Sequence, residues 1–428
     1  MTADGPSPAT ARHIEQAEAD ARIVPGLSDA VLRPIRTTGV IGAGTMGTGI
    51  AVALLAAGLP VTLVEREQAP LDRAQDAIRK IIDGNVASGR MSEAAGSAAL
   101  AALTLTTDIG DLAPVDLVVE AAFETMEVKR DVFGRLDAIA RPGAILATNT
   151  SYLDVAQIAA ATRRPADVIG LHFFSPAHIM KLLEIVRTDA TGADVIATAI
   201  DLAGRMGKKP VVAGNAFGFI GNRMLRVRRD EAEAIILEGV TPDRVDRIVE
   251  AFGFRMGPFR TSDLAGLDLG WSPETSRGAT VRERLCEAGR RGQKTGKGFY
   301  DYDDARQASA SPEALAIIHD YAQDRGIAAQ AWTDAAILDR MLLPMIDEGA
   351  RIVAEGIAQR PSDIDVVWLH GYGWPRRTGG PMHYAQQIGA DALAARFAAI
   401  GRTPSDALMT LTGTVPAAGE RQLEAKAL

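Results

Sequence analysis

A histidine and a glutamate, His172 and Glu184, lie twelve residues apart in two apolar segments, VIGLHFFS at 168–175 and KLLEIVRT at 181–188. Each segment has the composition of a short strand, and their connection is short. If the strands form a hairpin, the two side chains face each other. A carboxylate that holds one imidazole nitrogen fixes the tautomer and leaves the other nitrogen as a general base. The alternatives are a histidine satisfied in the core and a glutamate on a solvated face.

A glycine-rich turn, Gly42-Ala43-Gly44-Thr45-Met46-Gly47, follows the strand-like TGVIG and precedes a helical pattern. This is G-x-G-x-x-G in the strand–turn–helix context that binds a dinucleotide pyrophosphate at a helix N-terminus. Glu65 ends the next strand, where a carboxylate accepts hydrogen bonds from ribose hydroxyls and repels a 2′-phosphate. The sequence therefore predicts NAD rather than NADP, although the neighbouring Arg66 points the other way. A glycine-rich turn without a ligand is the alternative.

Further polar groups follow later strands. Glu124 comes after VDLVVEAA at 115–122, and Asn149, Thr150 and Ser151 end AILATNTS at 144–151. Ligands of open α/β sheets bind outside the carboxyl ends of the strands, so these groups are expected near the glycine turn.

The order of the segments predicts the fold class. Strand-like and helical segments alternate up to about residue 215, which favours a mostly parallel sheet with helices on both faces. Residues 70–103 are Ala-rich and are predicted to be helical. After residue 215 the remaining chain is predicted to be helical. We therefore predict a Rossmann-like α/β NAD-binding domain followed by an all-α domain.

The helical part contains an internal repeat. NRMLRVRRDEAEAIILEG at 222–239 and DRMLLPMIDEGARIVAEG at 339–356 share eight identities in eighteen ungapped positions. Two copies at this spacing indicate a duplicated helical domain, with a chance match as the alternative. The predicted domains are a linker-like arm at 1–36, the NAD-binding domain at 37–214, helical repeats at 215–305 and 306–410, and a tail at 411–428.

Composition excludes several classes of protein. The 428 residues carry a net charge of −8, which argues against a general binder of nucleic-acid backbones. One cysteine, Cys286, excludes a disulfide framework and a zinc site built on several thiolates. The N-terminus lacks the apolar core of a secretory signal, no apolar stretch reaches the length of a membrane span, and the final Lys-Ala-Leu is not a peroxisomal address. A cytoplasmic location is the default prediction.

Taken together, these motifs resemble those of the L-3-hydroxyacyl-CoA dehydrogenases of fatty-acid β-oxidation. VIGAGTMGTGIA, NTSYLDVAQIA, GLHFFSPAHIMKLLEIV, GFIGNRM, GPFRTSDLAGLD and GQKTGKGFYDY match the family pattern in order and spacing, over roughly residues 37–400. With its two helical repeats the chain resembles most the dehydrogenase part of the bacterial multifunctional fatty-acid β-oxidation α-subunits. The enoyl-CoA hydratase domain of those proteins is expected to be absent here, and a separate hydratase or thiolase is a candidate partner.

The resemblance implies a role for each matching position. His172 matches the catalytic base and Glu184 its partner, while Ser151 and Asn222 match the residues that orient the substrate's 3-oxygen. The cofactor positions are Gly42, Ala43, Gly44, Thr45, Met46, Gly47 and Glu65 at the adenosine and pyrophosphate end, and Ala122, Phe123, Glu124, Lys129, Asn149, Ser151 and Ser175 at the nicotinamide end. Tyr384 matches a tyrosine of the second repeat that reaches the acyl-CoA. No metal is implied.

Departures from the family pattern limit this prediction. Tyr152 replaces a small residue and narrows the site in this interpretation, Ser175 stands where an asparagine is common, and Asp339 faces Asn222 in the second repeat. Arg79, Lys80 and Arg90 are candidates for CoA phosphate contacts, with a solvated basic face as the alternative.

Two other functions stay open: a dehydrogenase of an unusual CoA thioester or free hydroxy acid, and a non-catalytic subunit that binds acyl-CoA or a thiolase. Acyl chain length and oligomeric state are not predicted.

Overall fold

The computed structural model describes residues 5–413 and divides the chain into two compact units. The first unit comprises residues up to Arg223 together with Ile352–Tyr372, and the second comprises Met224–Arg351 and the chain from Gly373 onward. The predicted boundaries differ from this division in two places. The predicted linker-like arm lies within the first unit, and so does a segment of the predicted second repeat. Most of the predicted tail lies outside the described residues.

The strands are β1 Thr38–Ile41, β2 Val61–Val64, β3 Leu103–Thr106, β4 Leu117–Glu120, β5 Ile145–Thr148, β6 Val168–Phe173, β7 Leu182–Arg187, β8 Lys209–Gly214, β9 Tyr300–Tyr302 and β10 Ala308–Ala310. The helices are α1 Pro8–Asp20, α2 Thr45–Ala56, α3 Gln68–Ala87, α4 Glu93–Ala101, α5 Met126–Ile139, α6 Val155–Ala159, α7 Ala193–Arg205, α8 Gly221–Leu237, α9 Pro242–Phe252, α10 Pro258–Ala265, α11 Val281–Glu287, α12 Pro312–Asp324, α13 Asp334–Ala354, α14 Pro361–Gly371, α15 Pro381–Ile388, α16 Ala390–Ala399 and α17 Asp406–Gly413.

The first unit is built on an eight-stranded sheet in the order β3-β2-β1-β4-β5-β6-β7-β8. Strands β1 to β6 run parallel, β7 pairs antiparallel with β6, and β8 pairs parallel with β7. Every residue of β1, β4 and β5 is buried, as expected for strands that helices cover on both faces. The prediction of a mostly parallel sheet with a dinucleotide-binding topology is confirmed. The carboxyl ends of β1, β4 and β5 lie at the same edge of the sheet. The order of the strands along the chain reverses between β1 and β4, which is where open α/β sheets bind their ligands.

The prediction that residues 70–103 are helical is confirmed for most of this range, which α3 and α4 occupy. Residues 88–92 separate α3 from α4, and Leu103 already belongs to β3. Because β3 is an edge strand whose residues are half-buried or exposed, its sequence LTLT carries little hydrophobic signal. Strand β8, which the sequence analysis did not identify, is largely buried at the opposite edge.

The second unit consists mainly of helices. The prediction of an all-α domain is wrong at one place, because β9 and β10 form a small antiparallel hairpin. The buried carboxylate of Asp263 on α10 supports this hairpin. It accepts hydrogen bonds from the backbone N–H groups of Phe299 and Tyr300 and from the hydroxyl of Tyr302.

The N-terminal segment is a folded part of the first unit. Ile14 and Ala17 of α1 are buried, and Glu18 bonds both His370 of α14 and Lys209 of β8. Farther along, Arg33 pairs with two carboxylates of the same unit. The segment that looks like a linker in sequence is therefore held against the NAD-binding part of the chain.

Candidate active site

The centre of the site is the hairpin of β6 and β7. Its antiparallel register places His172 directly opposite Glu184, so the predicted hairpin is confirmed. His172 Nδ1 lies 2.7 Å from Glu184 Oε2. His172 is 4 % exposed and Glu184 is fully buried, which strengthens the hydrogen bond because water does not compete for it.

Glu184 has a partner for its second oxygen as well. The backbone N–H of Gly221, at the start of α8, donates to Glu184 Oε1 at 3.0 Å. This N–H belongs to the first turn of α8, and the N–H groups at a helix N-terminus attract a negative charge. A carboxylate only accepts, and therefore Nδ1 of His172 carries the proton and Nε2 is the basic nitrogen.

Two aromatic rings fix the plane of the imidazole. The ring of Phe174 lies 4.5 Å and the ring of Phe219 lies 5.7 Å from the ring of His172, measured between centroids. Phe219 is fully buried and has φ 49°, a strained conformation for a residue with a Cβ. Backbone strain that tight packing maintains is typical of functional sites.

Ser151 lies on a turn that one carboxylate holds. Glu124 Oε1 accepts hydrogen bonds from the hydroxyl of Thr150 at 2.6 Å, the N–H of Ser151 at 2.7 Å and the N–H of Tyr152 at 3.3 Å. Asn149 Oδ1 accepts the N–H of Phe173 at 2.8 Å and so ties the end of β5 to the strand of His172. The ends of β4, β5 and β6, which carry three of the predicted site segments, are therefore linked together.

Lys129 lies within this network, with its ammonium group buried. Its Nζ donates to Glu120 Oε1 at 2.8 Å and lies 3.4 Å from Glu124 Oε2. Glu120 also accepts from the N–H of Ala122 and the hydroxyl of Thr148. The sequence analysis missed Glu120, although a glutamate at the end of an apolar strand is the same signal that identified Glu184.

The glycine turn has the geometry of a pyrophosphate cradle. Gly42 has φ +100°, and a Cβ there would lie 2.6 Å from the carbonyl oxygen of Ala121. A Cβ at Gly47 would lie 1.8 Å from the carbonyl oxygen of Gly42, so α2 can approach the turn only because Gly47 has no side chain. A Cβ at Gly44 would meet open space, and no side chain caps α2. The backbone donors of Thr45, Met46 and Gly47 therefore face room for a phosphate.

Glu65 lies beside this cradle. Its Oε2 accepts the N–H of Ala43 at 3.0 Å, which holds the carboxylate against the turn at the end of β2. A carboxylate in this position suits the ribose hydroxyls of NAD and repels the 2′-phosphate of NADP. The residues present therefore fit NAD. Phe123, at 81 % exposure, and the exposed Ser175 follow β4 and β6 at the same edge of the sheet.

Asn222 bonds a tyrosine that was not predicted from the sequence. Asn222 follows Gly221 on α8, and the hydroxyl of Tyr372 donates to Asn222 Oδ1 at 3.0 Å. Tyr372 follows α14, about 150 positions later in the chain. The sequence offered only the aromatic run HGYGW as a signal.

The structure gives the other predicted residues contacts of their own. Tyr384 is on α15 of the second unit, where its ring packs against Phe252 and Trp374. Asp339, also in that unit, pairs with Arg396. The predicted CoA contacts Arg79, Lys80 and Arg90 are all exposed. Their roles stay predictions.

Two negative findings concern only residues 5–413. No helix there is both long enough and apolar enough to span a membrane. Nor do three or more histidine, cysteine or acidic side chains come together there in a group that could hold a metal ion.

The fold and the site define a dinucleotide-binding dehydrogenase with a helical C-terminal part. Residues 37–216 match the profile of the 3-hydroxyacyl-CoA dehydrogenase NAD binding domain, and residues 218–302 and 337–412 match that of the 3-hydroxyacyl-CoA dehydrogenase C-terminal domain. The chain belongs to the 3-hydroxyacyl-CoA dehydrogenase family.

Similar proteins include peroxisomal bifunctional enzymes. Those of Cavia porcellus and Homo sapiens are each 43 % identical over 382 residues; the match covers 84 % of this chain, but 52 % and 53 % of theirs. The chain thus spans about half the length of these relatives. Their names place them in peroxisomes, so the comparisons do not support the predicted cytoplasmic location.

Solved structures agree with this family. A 3-hydroxybutyryl-CoA dehydrogenase from Escherichia coli has a TM-score of 0.75 at 27 % identity, covering 89 % of this chain and 98 % of its own. The dehydrogenase part of multifunctional enzyme 1 from C. elegans has a TM-score of 0.67 at 29 % identity, covering 95 % of this chain and 97 % of its own.

Proposed function

We propose that this chain catalyses the NAD-dependent oxidation of L-3-hydroxyacyl-CoA to 3-ketoacyl-CoA in fatty-acid β-oxidation. The observation that carries the proposal is the buried hydrogen bond between His172 and Glu184. It uses Nδ1 of the imidazole and leaves Nε2 for the substrate. The family and the β-oxidation relatives supply the substrate class.

His172 acts as the general base. Its Nε2 accepts the proton of the substrate's 3-hydroxyl group, and in the reverse direction the imidazolium returns this proton to the 3-oxygen. Glu184 accepts the hydrogen bond of Nδ1 throughout and stabilises the imidazolium by its charge. General-base catalysis of this kind contributes about 10²–10⁴-fold to the rate.

Ser151 and Asn222 orient the 3-oxygen toward His172. Glu124 holds the turn that carries Ser151, and α8 holds Asn222 one residue from the N–H that Glu184 accepts. Residues that fix a reacting oxygen near its base raise the rate because the geometry need not be found by diffusion.

The glycine turn holds the pyrophosphate of NAD, Glu65 holds its adenosine ribose, and Glu124 and Lys129 lie at its nicotinamide end. When bound, NAD supplies the acceptor for the hydride that leaves C3 of the substrate. Ala122, Phe123, Asn149 and Ser175 surround the same end in this proposal.

The helical part is proposed to be a duplicated domain. The C-terminal family profile matches two separate segments, 218–302 and 337–412, which supports the repeat found in the sequence. Tyr384 as an acyl-CoA contact and a separate hydratase or thiolase as a partner also stay proposals.

The proposal is tested by following NADH oxidation at 340 nm with acetoacetyl-CoA, a long-chain 3-ketoacyl-CoA and free acetoacetate. Turnover of a thioester is expected, with NADPH a much poorer donor because of Glu65. His172→Gln is expected to lower kcat by at least 10²-fold without changing the Kd of NADH, because the base is lost and the cradle is kept.

The matched control is His319→Gln, since His319 is an exposed histidine on α12. This variant is expected to retain wild-type kcat. No thioester turnover by a wild-type protein that binds NADH would reject the proposed substrate class. Full activity of His172→Gln would reject the assigned base.

A further inference from the structure

We propose that Tyr372 is a positioning residue of this site, whose hydroxyl orients the side-chain amide of Asn222 so that the amide N–H groups face the substrate's 3-oxygen. The proposal rests on the dehydrogenase function above and adds a residue from the C-terminal half of the chain to that reaction.

The start of α8 determines the position of the Asn222 side-chain amide. Gly221 donates its N–H to Glu184 Oε1, and Asn222 is the next residue of α8. The amide therefore lies one residue from the group that holds the carboxylate of the His172–Glu184 pair. Tyr372 donates its hydroxyl proton to Asn222 Oδ1 at 3.0 Å.

The amide of Asn222 can present either of two chemically different ends to the substrate. An asparagine side chain has an acceptor oxygen and two N–H donors, and a half-turn about its last bond exchanges them. The 3-oxygen becomes negative as its proton leaves, so an N–H group stabilises it and an amide oxygen repels it. After a half-turn the hydroxyl of Tyr372 would have to accept from the amide instead of donating to it. A phenolic hydroxyl donates more strongly than it accepts, so the orientation with Oδ1 toward Tyr372 is favoured and the donor end of Asn222 stays available for the substrate.

Tyr372 is held rigidly by its neighbours. Its ring stacks on the fully buried Trp368 at 4.7 Å and meets the ring of Phe174 edge-on at 5.5 Å. Phe174 in turn packs on His172. A Cβ at Gly221 would lie 2.4 Å from the tyrosine ring, so the missing side chain of Gly221 makes room for Tyr372 at the start of α8.

The segment that carries Tyr372, residues 352–372, is attached to α8 and β8. Both guanidinium NH groups of Arg223 bond the carboxylate of Glu355, at 2.5 and 2.8 Å. Gly214 donates its N–H to the carbonyl of Ile357 at 2.8 Å. Residues 352–372 are thus attached to α8 and β8 near their start, and Tyr372 at their end bonds Asn222. These attachments fix the hydroxyl of Tyr372 relative to the amide of Asn222.

The test is a double-mutant cycle on NADH-dependent reduction of acetoacetyl-CoA. Tyr372→Phe keeps the ring and removes the hydroxyl, and it is expected to lower kcat about tenfold, the effect of one lost hydrogen bond. Asn222→Ala is expected to lower kcat more. In the Asn222→Ala background, Tyr372→Phe should change kcat by less than twofold, because the hydroxyl then has no amide to orient. The Kd of NADH should match the wild type in Tyr372→Phe, and the melting temperature should fall by no more than in the Tyr321→Phe control, which loses one hydroxyl hydrogen bond as well.

Tyr321→Phe is the matched control, because Tyr321 also loses a hydroxyl hydrogen bond, to the carbonyl of Ala279, in the second unit. Equal effects of Tyr372→Phe in both backgrounds would overturn the proposal. Unchanged kcat would overturn it as well, and so would weakened NADH binding or a melting temperature well below that of Tyr321→Phe, which would assign Tyr372 a structural role. An inactive wild type would instead reject the dehydrogenase function, and the inference with it.

Discussion

Buried carboxylates of the first unit differ in whether both of their oxygens accept hydrogen bonds. Glu184 and Glu120 have hydrogen-bond donors at both oxygens. Asp363 on α14 accepts from the N–H of Arg360 with Oδ2, whereas its buried Oδ1 has no hydrogen-bond partner. Burial therefore raises the pKa of Asp363 to about 6.

This raised pKa predicts a pH-dependent stability. The folded state holds the proton of Asp363 more tightly than the unfolded state, so its contribution to stability is greatest below pH 4, falls between pH 4 and 6, and stays low above. We expect Asp363→Asn to gain about 2 kcal/mol relative to the wild type between pH 4 and 7. Urea unfolding of both proteins at the two pH values measures the difference. A difference that does not change with pH would show that Asp363 has the same pKa in the folded and unfolded states.

The residues of the site were predictable where the signal is local. His172 and Glu184 are identified because a hairpin pairs positions close in sequence, and an acid in an apolar strand demands a partner. Glu120 gives the same signal at the end of an equally apolar strand. Tyr372 could not be found this way, since only the folded chain brings it beside Asn222.

At the scale of elements, the central strands were predicted and the edge strands were not. Strands β1, β4 and β5 are buried on both faces and appear in the sequence as apolar runs. The partly exposed β3 lacks such a run, and the chain leading into it has the alanine content of a helix. Strand β8 is largely buried and was missed for another reason, because Pro210 in its sequence KPVVAG argues against a strand.

The contact between α2 and the glycine turn gives a prediction at this scale. Gly47→Ala places a methyl group 1.8 Å from the carbonyl oxygen of Gly42, so α2 must move away. We expect at least tenfold weaker NADH binding and a loss of about 1–3 kcal/mol of stability. Fluorescence titration with NADH and thermal unfolding measure both quantities.

Gly84→Ala is the control for this variant, because Gly84 lies within α3 and a Cβ there meets no atom within 4 Å. It is expected to stabilise the protein by about 0.5–1 kcal/mol. If Gly47→Ala behaved like Gly84→Ala, close packing of α2 on the turn would not be needed for binding.

At the scale of the molecule, the N-terminal segment belongs to the first unit. Ile14 of α1 is 1 % exposed, and Glu18 bonds both α14 and β8. We expect Ile14→Ala to destabilise the protein by about 2–4 kcal/mol, because a buried apolar side chain is replaced by a cavity. Glu15→Ala, at an exposed neighbouring position, should change stability by less than about 0.5 kcal/mol. Equal melting temperatures of the two variants would indicate that α1 is a loosely attached arm.

Residues 352–372 belong to the first unit, although they follow Met224–Arg351 of the second unit in the chain. This order has a consequence for biosynthesis. A ribosome releases the NAD-binding sheet well before it makes α14, which packs on β7 and β8 and receives α1. Until then the nascent chain presents uncovered apolar groups, such as Leu182, against which Gly371 later packs. Translation must therefore pass Tyr372 before the first unit is complete, and arrested chains that end near residue 223 are natural clients for chaperones.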